Sequence, residues 1–345
     1  MNLDSFIRNV KWRFGRTFFC KKRQEWQKVL FANEDFRMGR IIPLNEYYRD
    51  VKTKNIKGKR VVCIYDGKIK NGGLADRLRG IISVYEVCKE LGLEFKLIFK
   101  SPFELQLFIE PNKTDWCISK EELNYNTKIT DTCYIDTLTE SDYEVARQKK
   151  WFTKEFKKNY KEFHVRTNAL FSYKGNYSQL FDELFKPTER LAESIGKEKR
   201  ELNNSYISTS FRYMNLLGDF NETTGINIEL PHEEKNELIE KNLYQLQILH
   251  ERFPNKKILV NSDSTTFLQM ASKFEYVHVN PGNVTHIDAN NEHDEYEVYE
   301  KTFLDFFTIA NADRIFLLRT GKMYKSGYPY AASKIYNKPF EIIEF

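Results

Sequence analysis

The residues best equipped for chemistry lie in three loops of the C-terminal half. Arg212 follows the run YISTSF and opens a loop closed by Gly218 and Asp219. A second loop, Asn261-Ser262-Asp263-Ser264, follows KILV. A third runs from Arg319 to Gly327 and carries Thr320, Lys322, Lys325 and Ser326 before Tyr328. A guanidinium clamps phosphate with two parallel hydrogen bonds, and the hydroxyls and lysines suit the remaining charge of a diphosphate. The Asp263 carboxylate suits the paired N–H groups of a guanine or the hydroxyls of a ribose. Together these types sketch a nucleotide site. Each also has a plain structural reading: Arg212 as a surface arginine in a turn, and Asp263 and Ser264 as an N-cap for the helix that follows.

Elements of the right kind flank these loops. Tyr206 to Phe211 reads as a short strand, and Glu233 to Phe253 is an amphipathic helix with Ile239, Leu243, Leu246, Leu249 and Phe253 on one face. Strand Lys257 to Val260, a helix to about Lys273, strand Tyr276 to Val279, helix Tyr299 to Ala310, strand Arg314 to Leu318 and a helix from Tyr328 complete the alternation. Such a pattern predicts a doubly wound α/β domain, in which ligands bind off the carboxyl ends of the strands. Arg212, Ser262 to Ser264 and Arg319 to Ser326 then share one rim.

A similar pattern starts earlier. Arg60 to Tyr65 is a buried-type strand, and Asp66 and the turn Asn71-Gly72-Gly73 follow it. The next helix carries Asp76 and Arg77 in its first turn and a stripe of Leu74, Leu78, Ile81, Tyr85 and Cys88. Glu94 to Phe99 completes a βαβ unit, Ser101-Pro102 caps a short helix, and Glu162 to Arg166 is a further strand. Gln179 to Phe185 reads as a helix, and Pro187 to Leu202 as a charged helix linking two domains. Residues 115–160 show no clear period. Glycines ahead of a helix let backbone amides approach an anion or a sugar. Neither a GxGxxG fingerprint nor a GxxxxGK[ST] loop is present. The expected division is 1–59, a basic N-terminal segment and connector; 60–186, an N-terminal Rossmann-like domain; and 187–345, a C-terminal Rossmann-like domain that carries the candidate nucleotide loops.

Composition excludes several classes. The 345 residues exceed one ordinary core. With 54 basic and 49 acidic side chains the net charge is only +5, unlike a dedicated nucleic-acid binder. Five cysteines without a CxxC argue against a disulfide framework. His164, His232, His250, His278, His286 and His293 lack ligand spacing, no DxD pair exists, and the loop Thr285 to Glu295 reads as a solvated turn, so no metal and no cofactor is expected. No long apolar run or signal-peptide core is visible, which predicts a cytoplasmic protein. Residues 1–30 interleave aromatic and basic side chains, a composition suited either to peripheral contact with anionic lipid at the inner membrane face or to a capping helix.

Four stretches, taken in order and the last in two parts, resemble one family. NGGLADRLRGIISVYEVCKELGLEF (Asn71 to Phe95), FDELFKPT (Phe181 to Thr188), SFRYMNLLGD (Ser210 to Asp219), and ILVNSDSTTFLQMASKF (Ile258 to Phe274) with FLDFFTIANADRIFLLRTGKMYKSGYPYAASKI (Phe303 to Ile335) are similar to motifs of the fucosyltransferase superfamily. That superfamily includes the bacterial nodulation, α1,2-, α1,6- and protein O-fucosyltransferases. The resemblance, over roughly residues 60–345, implies a GT-B architecture of two facing Rossmann-like domains, GDP-fucose as donor, a glycan hydroxyl as acceptor, and metal-independent inversion. It implies further that Arg212 grips the β-phosphate, that Asp263 reads guanine, and that Ser326-Gly327-Tyr328 lies beside the diphosphate. Asp66 and Asp76 are the candidate bases. The chain departs at Ser210, where the family has a histidine. A transferase for another nucleotide sugar and a non-catalytic binder of the same fold are the other readings.

Overall fold

The computed structural model describes residues 56–68, 71–135, 142–167, 175–220, 228–285, 287 and 295–345. The expectation for residues 1–30, and most of the Thr285 to Glu295 loop, lie outside these. Two parallel sheets form the frame. The first has four strands, β1 (Arg60–Tyr65), β2 (Glu94–Phe99), β4 (Thr130–Ile135) and β5 (Glu162–Thr167), in the order β2-β1-β5-β4. The second has five, β7 (Tyr206–Phe211), β8 (Lys257–Ser262), β9 (Val277–His278), β10 (Arg314–Arg319) and β11 (Phe340–Glu344), in the order β11-β10-β7-β8-β9. Between them β3 (Ile109–Pro111) and β6 (Phe185–Pro187) form a small antiparallel pair.

The second sheet has the Rossmann strand order: β7 starts in the centre, the chain winds outward through β8 and β9, then returns to wind the other way through β10 and β11. The direction reverses between β7 and β10, which opens a crevice at their carboxyl ends. Arg212 follows β7 and Thr320 follows β10, so strand order alone puts the first and third loops on either side of that crevice.

Helix α1 (Leu74–Leu91) is more deeply buried than one apolar stripe requires. Beyond Leu74, Leu78, Ile81, Tyr85 and Cys88, it also buries Arg77, Arg79, Ser83 and Val84. The reason is tertiary, because α1 packs on β1 and β2, on α2 (Asp142–Phe156) and α3 (Tyr177–Leu184), and on α8 (Tyr328–Ile335) of the second sheet's layer. A helix surrounded in this way cannot keep a polar face in water. Its buried arginine is therefore held internally, Arg77 donating to the carbonyls of Gly72 (2.7 Å) and Ser101 (2.6 Å). Gly92, at φ 62, ends the helix in the left-handed conformation and returns its N–H to Cys88 and Lys89.

One apolar cluster runs through both halves. Phe103 and Phe108, in the loop after β2, meet Tyr296, Tyr299 and Phe303 of α7 (Tyr296–Asn311), with the Phe108 and Phe303 rings stacked 4.2 Å apart. Helix α4 (Glu189–Glu201) also packs on α7. The remaining helices, α5 (His232–Arg252) and α6 (Thr265–Ala271), belong to the second domain, where Ile239, Leu246, Leu249, Phe267 and Leu268 join a separate cluster.

Several elements differ from the sequence reading, the β3–β6 pair among them. Residues 115–160 contain β4 and α2, whose period is masked because the buried Trp151, Phe152 and Phe156 stand among Lys149, Lys150 and Lys154. Strand β11 was not anticipated; its residues are half-buried at a sheet edge and show no clean alternation. The short helix expected after Ser101-Pro102 is a single turn, Leu105–Leu107.

Candidate functional site

The crevice loops are joined by hydrogen bonds centred on Asp263. This carboxylate is 4% exposed. Its Oδ1 accepts the N–H of Tyr213 (2.8 Å), and its Oδ2 accepts the N–H of Met214 (2.6 Å) and lies 3.2 Å from Nη1 of Arg212. Burial pushes the Asp263 carboxyl above its ordinary pKa, against the pull of Arg212 and the two amides. Met214 sits at φ 56, a left-handed conformation that costs an L-residue about 1–2 kcal/mol. The two amide bonds to Asp263 offset that cost and fix the turn.

The third loop closes the arrangement from the other side. The Tyr324 N–H donates to the Arg212 carbonyl at 3.0 Å, so the peptide joining Arg212 to Tyr213 is held at its carbonyl by this loop and at its N–H by Asp263. The Arg212 side chain stacks over the Phe220 ring at 5.0 Å and remains 17% exposed, enough for the guanidinium to reach the crevice. Met323 is buried and anchors the loop, leaving Lys322, Tyr324 and Lys325 exposed beside it. A forked, permanent cation with a fixed backbone, beside two exposed lysines, has the chemistry to suit a polyanion such as a diphosphate.

Several expected ligand contacts are instead part of the scaffold. Asp263 presents no oxygen outward for a base, because both are occupied by the loop it holds. Asp219 is exposed, and its Oδ2 accepts from the Ser264 hydroxyl and the Thr266 N–H, both at 2.8 Å, tying the Arg212 loop to the start of α6. Ser264 is the N-cap of α6 and accepts from the Phe267 N–H at 3.1 Å, the plain structural reading of that residue. Ser262 accepts the Ser264 N–H at 3.1 Å. Thr320 donates to the Phe345 carbonyl and accepts from Lys241 at 2.9 Å, and Arg319 pairs with Glu344 at 3.3 Å, so the end of β10 is turned toward β11.

Ser326, Gly327 and Tyr328 form the entry to α8. Gly327 is the exposed N-cap residue, no side chain caps the helix, and the Ser326 hydroxyl accepts only the Tyr328 N–H, at 3.3 Å. The leading amides of such a helix favour an anion. The Tyr328 side chain points away into the core, donating to the Thr302 carbonyl.

On the first domain, Asp66 follows β1 and pairs with Arg166 of β5 at 2.9 Å, both side chains being buried. Burial alone would raise its pKa; Arg166 and Lys68 outweigh burial and hold the carboxyl below the ordinary value. Asp66 is thus a weak base. Asp76, in the first turn of α1, is 42% exposed and lies 3.3 Å from Arg79. Its carboxylate folds over Gly72, where an added Cβ would meet Asp76 Oδ2 at 2.7 Å, so a side chain there would push the carboxylate aside. Gly73 is the N-cap of α1 and Asn71 is buried just before it. Arg166 was missed by the sequence reading, although its spacing from Glu162 and His164 puts all three on one face of β5. The Tyr324 amide and the backbone of Met214 carry no residue-type signal. Among the described residues no group of three or more His, Cys, Asp or Glu is placed to hold a metal, and no helix is long and apolar enough to cross a membrane.

No protein-family model and no curated protein matches the sequence. Solved structures do match. The chain superposes on a GDP complex of an Arabidopsis thaliana FUT1 mutant with a TM-score of 0.51 at 12% identity, covering 96% of this chain and 78% of that one. NodZ α-1,6-fucosyltransferase co-crystallised with GDP gives 0.51 at 14% identity over 84% and 96% of the two chains. Bradyrhizobium NodZ gives 0.50 at 14% over 84% and 95%. The fold is that of the GT-B fucosyltransferases. The two facing Rossmann-like domains expected from the four motif stretches are present, with the crevice of the second sheet at the position described above.

Proposed function

We propose that the protein is an inverting glycosyltransferase that moves L-fucose from GDP-fucose to a hydroxyl of a glycan acceptor without a metal ion. The observation that carries this reading is Arg212, a guanidinium whose peptide is held by two loops at the switch point of the second sheet. Two of the fold relatives are GDP complexes, which supports a nucleotide donor of that kind.

The steps follow from charge. As the glycosidic bond to the donor breaks, negative charge grows on the leaving diphosphate; Arg212, Lys322, Lys325 and the amides at the head of α8 are the groups positioned to stabilise it. The sugar becomes oxocarbenium-like and an acceptor hydroxyl attacks the opposite face. Asp76 is the better placed base, because Asp66 is held ionised by Arg166 and has little affinity for a proton. No cofactor is invoked, and the reading assigns the protein to the cytoplasmic side, with residues 1–30 as its contact to anionic lipid. A transferase for a different nucleotide sugar stands as the second reading, favoured by Ser210 in place of histidine and by the occupied carboxylate of Asp263. Calorimetric titration with GDP, UDP and their fucose, mannose and glucose conjugates decides: selective binding of GDP and GDP-fucose supports the first reading, selectivity for another base or sugar the second, and no nucleotide binding refutes both.

A further inference from the structure

We infer that Asp263 is the positioning residue of this site: its carboxylate shapes the Arg212 turn and aims the guanidinium, and the nucleotide base is read elsewhere. The inference rests on the reading of Arg212 as the phosphate contact. A carboxylate offers about four acceptor directions. Three are taken by the Tyr213 amide, the Met214 amide and Arg212 Nη1, and the Ser262 hydroxyl stands 3.5 Å from Oδ1. Reading the N1–H and amino group of a guanine requires two oxygens side by side at the wall of an open pocket. Asp263, 4% exposed, has neither oxygen so placed.

The hydrogen bonds explain why a charge is needed. The N–H groups on either side of the Tyr213 Cα both converge on this carboxylate, and the chain then turns into the left-handed region at Met214, φ 56. An amide in place of the carboxylate keeps one acceptor oxygen and turns an NH₂ group toward either an N–H or the guanidinium. Donor then faces donor, and the turn opens. Arg212 would lose its anionic partner and the Asp263 end of its backbone anchor together, while the β-strands carrying both loops stay paired.

The two roles separate by ligand. Wild type and Asp263→Asn are titrated with GDP and with guanosine, which carries the base and ribose but no phosphate, and the comparison is repeated on an Arg212→Ala background. Positioning predicts that Asp263→Asn weakens GDP at least about tenfold, leaves guanosine within about twofold, and adds little once Arg212 is gone. Equal losses for GDP and guanosine would show that Asp263 touches the base and overturn the inference; so would GDP affinity equal to wild type. A wild type that binds guanosine and GDP equally removes the phosphate role of Arg212 and thus the reading beneath. Where Asp263→Asn folds poorly, Met214→Gly in the same chain admits the left-handed turn without strain, and the double variant is compared with Met214→Gly alone.

Discussion

Replacing Arg212 tests the phosphate-clamp assignment most directly, and the structure gives two separable magnitudes. In Arg212→Ala the Asp263 carboxylate stays buried without its cation. Breaking a buried pair costs about 3–5 kcal/mol. The expected loss lies toward the lower end, because Asp263 keeps two amide donors. Catalysis should fall independently, since losing one preorganised donor to a developing oxyanion costs about a hundredfold to a thousandfold in kcat, roughly 3–4 kcal/mol. Arg212→Lys separates the two. An ammonium supplies a positive charge for Asp263 and should recover much of the stability, but it cannot reproduce the fork and should recover little of the rate. Thermal melts establish stability for each variant, and steady-state kinetics with GDP-fucose on the folded fraction then give kcat and KM. Wild-type kcat/KM in Arg212→Ala would falsify the clamp, and full recovery of both quantities in Arg212→Lys would reduce Arg212 to a charge.

Three other outcomes are expected. Turnover of GDP-fucose persists in excess EDTA; a collapse reversed by Mg²⁺ or Mn²⁺ contradicts the metal-free mechanism. Asp66→Asn lowers stability at pH 7, measured as a urea midpoint. Because the folded pKa of Asp66 lies below the unfolded value of about 3.9, the pair contributes fully above that value and fades as pH falls through the folded one, so the variant and wild type should converge in strong acid. An unchanging difference across that window points to packing rather than charge. A chain beginning at Asn55, ahead of β1, is expected to fold by circular dichroism and to bind anionic liposomes more weakly than the full chain; unaltered liposome binding rules out residues 1–30 as the lipid contact.

The legible part of the fold was the part whose burial is local. β1 and β10 are continuous apolar runs of the kind that parallel strands covered on both faces require, β2, β5 and β7 mix apolar with polar or small residues, and all five were assigned nearly to the residue. α2 and β11 were not legible: one hides three buried aromatics among lysines, and the other is an edge strand whose place follows from pairing with β10. Of the candidate site, residue type and loop position identified Arg212, the Asp263 loop and the Arg319 to Tyr328 segment, since each follows a strand whose pattern is visible in one dimension. Which of these side chains faces a ligand and which faces its neighbours was decided by tertiary structure alone. Asp263 is equally able, as a residue type, to accept two N–H groups from a base or from a backbone turn. The choice depends on whether the Tyr213 and Met214 amides reach Asp263, which lies 49 residues beyond Met214 and is brought there by the pairing of β7 with β8, and on whether the β10 loop reaches the Arg212 carbonyl, which the pairing of β7 with β10 decides.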